Sequence, residues 1–147
     1  MGILGKRNAD TANGAEIIQT VLEYYPHTQA IYLFGTYGTE YERPESDVDI
    51  ALLLPPLGSE KTGSLVMGDL HTALETLLNK EVDLINLRRA STVLRKEVIA
   101  ADRRIYTGDE YAAEEFEMLT LSLYQKLNEE RTGIVEDALA GGRFYRV

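Results

Sequence analysis

The sequence predicts one α/β domain, a small mixed sheet flanked by helices, with a long helical segment added at the C-terminal end. Three observations predict it. Short apolar runs with β-branched and aromatic residues alternate with stretches of helical periodicity in the order α-β-β-α-β-α-α. The length of 147 residues fits one compact core and is too short for two ordinary ones. The proportions, 44% hydrophobic and 27% charged residues, are those of a typical globular chain without low-complexity runs.

Residues 1–14 are polar and contain glycine, so they are read as a flexible N-terminus. From Ala15 to Tyr25, the residues Ile17, Ile18, Val21, Leu22 and Tyr25 recur at helical spacing until Pro26 stops the pattern. Ala30-Ile31-Tyr32-Leu33-Phe34 is a buried strand ending at Gly35, and a second strand runs from Asp47 to Leu54 before Pro55-Pro56. Lys61 to Leu78 carries Leu65, Leu70, Leu74, Leu77 and Leu78 among polar residues, as a helix crossing over a sheet would. Val82 to Leu87 makes a third strand, Ser91 caps a helix through Ala100, and Arg103 to Tyr106 is a short extended piece before Gly108. From Asp109 to Ala140 a long helical pattern places Ala112, Phe116, Leu119, Leu123 and Leu127 on one stripe, widened by Met118, Leu121, Tyr124 and Val135, with Gly133 as its weak point. The division expected is a core over 15–107, a helical segment over 108–140 that packs on the core and on a partner, and a tail over 141–147. On that segment Phe116, Leu119 and Leu123 are assigned to the chain's own core, and Tyr124, Arg131 and the tail Arg143-Phe144-Tyr145-Arg146 to an interface.

Bulk properties bound the function. A formal net charge of −9 disfavours an extended nucleic-acid surface, which needs clustered Lys and Arg. Without cysteine there is no disulfide and no thiolate metal site, so a hard, oxygen-bound cation is favoured. No apolar stretch approaches the roughly 20 residues that span a bilayer, and a cytoplasmic location is the expectation.

The chemistry concentrates around paired acids. Asp47 and Asp49 stand two apart at the start of a strand, so both carboxylates leave one face while Val48, Ile50 and Leu52 take the other. Two such charges repel, and a divalent cation resolves the conflict. Mg2+ typically takes one or two protein carboxylates and completes its octahedron with water and substrate phosphates, which points to a nucleotide. Upstream, Leu33-Phe34-Gly35-Thr36-Tyr37-Gly38 empties a strand into a glycine-hydroxyl turn that can present backbone N–H groups to phosphate, aided by a dipole if a helix starts there. A third acid, Asp83, opens the strand Val82 to Leu87 and would join the cluster if that strand lay beside Asp47 and Asp49.

Gly35-Thr36, ten further residues and then Asp47-Val48-Asp49 resemble the glycine-serine and aspartate-x-aspartate signature of the DNA-polymerase-β-like nucleotidyltransferases, with Asp83 matching the third acid. The approach Arg43-Pro44-Glu45-Ser46-Asp47-Val48-Asp49-Ile50 is similar to that of minimal members. The stretch Asp83-Leu84-Ile85-Asn86-Leu87-Arg88 and the tail containing Leu123-Tyr124-Gln125 resemble the minimal nucleotidyltransferase (MNT) antitoxins of the MntA/HepT toxin–antitoxin family, over nearly the whole chain after residue 14. The resemblance implies a polymerase-β-like fold and an antitoxin that uses ATP and Mg2+, two ions, to attach AMP to a tyrosine of a HEPN-domain ribonuclease toxin. It implies that Gly35 and Thr36 hold phosphates with Arg43 and Ser46 in the nucleotide-binding set, that Asp47, Asp49 and Asp83 bind metal, and that Asp83 is the base. Thr36 replaces the usual serine and keeps its hydroxyl; Thr39 stands where many minimal members carry arginine, leaving Arg43, Arg88 or Arg89 to neutralise phosphate charge. The alternatives are a nucleotidyltransferase acting on a small molecule and a non-enzymatic antitoxin that acts by steric binding.

Overall fold

The computed structural model describes residues 13–140, with the backbone alone over 57–67 and 132–140. Its elements are α1 (Gly14–Tyr24), β1 (Ala30–Phe34), β2 (Val48–Leu53), α2 (Pro56–Leu78), β3 (Val82–Asn86), α3 (Thr92–Ala100), β4 (Arg104–Thr107) and α4 (Glu110–Ala140), with a 3-10 turn at Leu87–Arg89. The strands form one mixed sheet in the order β3-β2-β1-β4. β1 pairs antiparallel with β2 and with β4, and β2 pairs parallel with β3 across the α2 connection.

Alternation along the two central strands divides the core. Ile31, Leu33, Val48, Ile50 and Leu52 face α1 and α2, where Ile17, Val21, Leu70 and Leu74 cover them. Ala30, Tyr32, Ala51 and Leu53 face α3 and α4, meeting Leu87, Val98, Ala113 and Phe116. Tyr32 donates from Oη to Glu117 Oε2 at 2.7 Å, and Arg104 Nη1 reaches the same oxygen at 3.0 Å, so a partly buried polar tie fixes α4 to the sheet. Burial and this carboxylate raise the Tyr32 phenol above the ordinary tyrosine range.

The structure departs from the sequence expectations in three places. The extended piece at 103–106 is a fourth strand, β4, at the edge beside β1. α2 starts at Pro56 rather than Lys61, because a proline with its φ already helical suits the first turn of a helix. On α4 the buried line is Ala113, Phe116 and Thr120, whereas Leu119 is 55% exposed and Leu123 51% exposed. The stripe of Leu119 and Leu123 therefore does not reach the core, and the line one position away does. Tyr124, assigned to an interface, is half-buried with Lys96 Nζ 5.0 Å from its ring centroid. α4 runs through Gly133 without a break, while the tail at 141–147 and the N-terminal stretch 1–12 lie outside the described residues. Among the described residues no helix is long and apolar enough to cross a membrane.

Candidate active site

β1 ends and β2 begins at the same end of the sheet, so the connection over 35–47 hangs beside the first residues of β2 and β3. Asp49 stands opposite Phe34 on one side and in parallel register with Asp83 on the other. Residues in register on neighbouring strands share a face, so the carboxylates of Asp49 and Asp83 emerge together, and Asp47, two residues before Asp49, shares their side. This is the juxtaposition that Asp83 required. Asp49 is half-buried while Asp47 and Asp83 are exposed.

The electrostatics follow from that placement. Desolvation raises the Asp49 carboxyl above the ordinary aspartate range, and the like charges of Asp83 and then Asp47 raise it further. A site that penalises its own ionised acid is one that gains from a cation. Gly35 lies against this acid with φ +76°, and an ideal Cβ built there would fall on Asp49 Oδ2. Glycine is thus required twice, for the left-handed backbone and for the room beside the carboxylate. The three carboxylates on this face are hard oxygen donors, the type that suits Mg2+. Among the described residues no three acidic, His or Cys side chains are gathered closely enough to hold a metal ion as they stand.

The turn itself is organised by hydroxyls. Thr39 Oγ1 donates to Thr36 O at 2.6 Å, and Thr39 N reaches the same carbonyl at 3.0 Å. Thr36 Oγ1 donates to Ser46 Oγ at 3.3 Å, and Ser46 Oγ accepts from Arg43 N at 2.9 Å. Gly35, Thr36 and Ser46 are therefore brought together at the acids. No helix starts in this connection, so backbone N–H groups and hydroxyls, without a helix dipole, are what the turn offers an anion.

The arginines separate. Arg43 is an exposed residue of the same connection. Arg88 lies at the opposite end of β2, where Nε donates to Leu54 O at 2.5 Å and Nη2 to Gln29 Oε1 at 2.6 Å; it is not available to phosphates at the acids. Burial and the neighbouring Arg95 charge lower its pKa. Arg89 borders a groove with Arg88, Arg95 and Phe116, also away from the acids. A cleft of about 730 Å³ bounded by Tyr24, His27, Leu54, Tyr106 and Asp109 sits at that far end too and contains none of the three aspartates.

Sequence reasoning missed two cations beside the site. Lys80 Nζ donates to Pro44 O at 3.0 Å and lies 3.7 Å from Glu42 Oε2. Arg103 donates from Nη1 to Gly35 O at 3.4 Å and from Nη2 to Tyr37 O. Their partners are mostly backbone carbonyls, which carry no sequence signal; the only hint is that each stands just before a strand.

Comparison with known proteins agrees with this geometry. Residues 16–111 match the family described as Polymerase beta, Nucleotidyltransferase. The protein adenylyltransferase MntA of Shewanella oneidensis is 34% identical over 128 residues, covering 87% of this chain and 88% of that one. A solved toxin–antitoxin structure with AMP-PNP superposes with a TM-score of 0.68 at 34% identity, over 86% of this chain and 98% of the other. A chain from the structure of tri-AMPylated Shewanella oneidensis HEPN toxin in complex with MNT antitoxin aligns with a TM-score of 0.63 at 34% identity, over 86% of this chain and 96% of that one.

Proposed function

Because the chain belongs to the polymerase-β nucleotidyltransferase family, we propose that it is an antitoxin that transfers AMP from ATP to a tyrosine of a HEPN-domain ribonuclease toxin and so neutralises it. The observation that carries the chemistry is the parallel register of Asp49 with Asp83 beside the turn at Gly35-Thr36. The relatives carry the acceptor, since one is a protein adenylyltransferase and another sits in complex with an AMPylated HEPN toxin.

In this reading the N–H groups of the turn and the Thr36 hydroxyl hold the phosphate tail of ATP, with Ser46 and Arg43 on the same connection. Asp47, Asp49 and Asp83 hold Mg2+, which when bound lowers the pKa of the attacking hydroxyl and offsets charge on the pyrophosphate. The tyrosine oxygen attacks the α-phosphorus, its proton passes to the Asp83 carboxylate, and the bond to pyrophosphate breaks on the opposite side. The exposed apolar residues of α4, Met118, Leu119, Leu121 and Leu123, form the surface offered to the toxin.

The test is transfer of label from α-labelled ATP to purified toxin in the presence of Mg2+. Asp47→Asn combined with Asp49→Asn should lower transfer by at least about 1,000-fold, as removal of an essential catalytic group does. Its circular dichroism spectrum should stay native-like. Undiminished labelling by that variant would overturn the assignment.

A further inference from the structure

The edge strands β3 and β4 both begin at the acid end of the sheet, and each is preceded by a cation that turns onto the connection over 35–47. Ahead of β3, Lys80 Nζ holds Pro44 O at 3.0 Å, Ser46 O at 3.5 Å and the Glu42 carboxylate at 3.7 Å. Ahead of β4, Asp102 takes a left-handed φ of 57°, which turns the chain out of α3 and delivers Arg103. The Arg103 carbonyl accepts from Leu33 N at 2.9 Å, and its guanidinium reaches back to the carbonyls of Gly35 and Tyr37.

Peptide planarity turns those two contacts into a constraint on the ligand side. In a trans peptide the C=O and the following N–H point in opposite directions. Drawing Gly35 O toward Arg103 therefore turns the Thr36 N–H away from it, and drawing Tyr37 O turns away the Gly38 N–H. The Gly38 N–H donates to Glu42 Oε1 at 3.0 Å, and the other oxygen of Glu42 faces Lys80. One continuous strap results, Arg103 to the 37–38 peptide to Glu42 to Lys80. Lys80 in turn holds the carbonyls on either side of Glu45, directly before Asp47.

We propose that Arg103 and Lys80 are positioning residues of the transfer reaction, Arg103 setting the phosphate turn at 35–37 and Lys80 setting the approach of Ser46 and Asp47. This rests on the nucleotidyltransferase reading above. Neither side chain needs to touch substrate: Arg103 fixes the direction of backbone groups that do, and Lys80 fixes the course of the chain into Asp47. The two ends of the strap then have different kinetic signatures, since the first governs nucleotide affinity and the second the placement of an acid used in the chemical step.

The experiment is calorimetric titration of AMP-PNP with Mg2+, run alongside label transfer to the toxin and thermal melting. Arg103→Met should weaken AMP-PNP binding about tenfold, the scale of a lost charge-assisted hydrogen bond. Arg103→Lys, which keeps charge but loses the fork, should recover only part of that. Lys80→Met should lower kcat about tenfold with a smaller loss of AMP-PNP affinity than Arg103→Met, and Lys80→Arg should restore kcat. Wild-type affinity in Arg103→Met, or in Arg103→Lys should the first variant not fold, overturns the role of Arg103. Unchanged kcat in Lys80→Met overturns that of Lys80, and so does a kcat loss in Lys80→Met that Lys80→Arg does not restore. If the unaltered chain binds AMP-PNP but labels no toxin, the acceptor reading falls while the binding arm still decides Arg103; if it binds no AMP-PNP, both fall together.

Discussion

The two ends of β2 do opposite work. At its start, Asp47 and Asp49 meet water and the turn at Gly35, and burial together with neighbouring acids pushes the Asp49 carboxyl up. At its end, Leu52, Leu53 and Leu54 are buried, and the Leu54 carbonyl is taken by Arg88. One six-residue strand thus carries an electrostatic cost at one end and apolar burial with satisfied polar groups at the other. The difference teaches that the acid end is maintained by the rest of the sheet rather than by its own contacts, as expected where strain and like charges serve chemistry.

Three changes would break or sharpen that contrast. The largest effect is expected from Gly35→Ala, which puts a methyl onto Asp49 Oδ2 at a left-handed φ. Label transfer should fall at least about 100-fold, while stability falls by only about 1 kcal/mol; wild-type activity would show that the turn has room to spare. At the far end, Arg88→Ala should lower unfolding free energy by about 2 kcal/mol in a urea titration, because Leu54 O and Gln29 Oε1 lose a charged donor. Transfer should be unchanged, and a loss of kcat without a loss of stability would erase the division of labour. The smallest effect is at Asp49. Its folded carboxyl binds a proton more tightly than the unfolded one, so stability without divalent cations falls as pH rises from the ordinary aspartate value through the raised one, and stays lowered above it. Asp49→Asn should therefore melt about 2 °C higher than the unaltered chain at neutral pH without Mg2+, with the gain vanishing at about pH 3. A variant that melts lower at neutral pH would show that Asp49 carries a stabilising contact instead.

The sheet was legible where local pattern and tertiary context agree. The run Ala30 to Phe34 is β1 residue for residue, and Ser91 does cap α3, accepting from Leu94 N at 3.1 Å. β4 was read only as an extended piece because Arg104-Ile105-Tyr106-Thr107 is short and has one fully buried residue; its pairing partner, not its composition, makes it a strand. On α4 two stripes compete: Leu119 and Leu123 are the more apolar, but Ala113 and Thr120 are small enough to let the helix approach the sheet. The aspartates and Gly35 were legible because carboxylate spacing and a glycine before a turn carry their meaning locally. Arg88, Arg103 and Lys80 were not, because each is defined by carbonyls distant in sequence.

The register of β2 with β3 has a consequence for the quality control of the protein itself. Asp49 and Asp83 meet only because Val48 pairs with Val82, and a slip of one residue would send Asp83 to the opposite face of the sheet. A chain whose parallel crossover has closed incorrectly thus cannot assemble the acid cluster, whatever its compactness. Enzymatic competence in this molecule is in effect a certificate of correct strand order, issued only when residues that lie far apart in the chain have found one another.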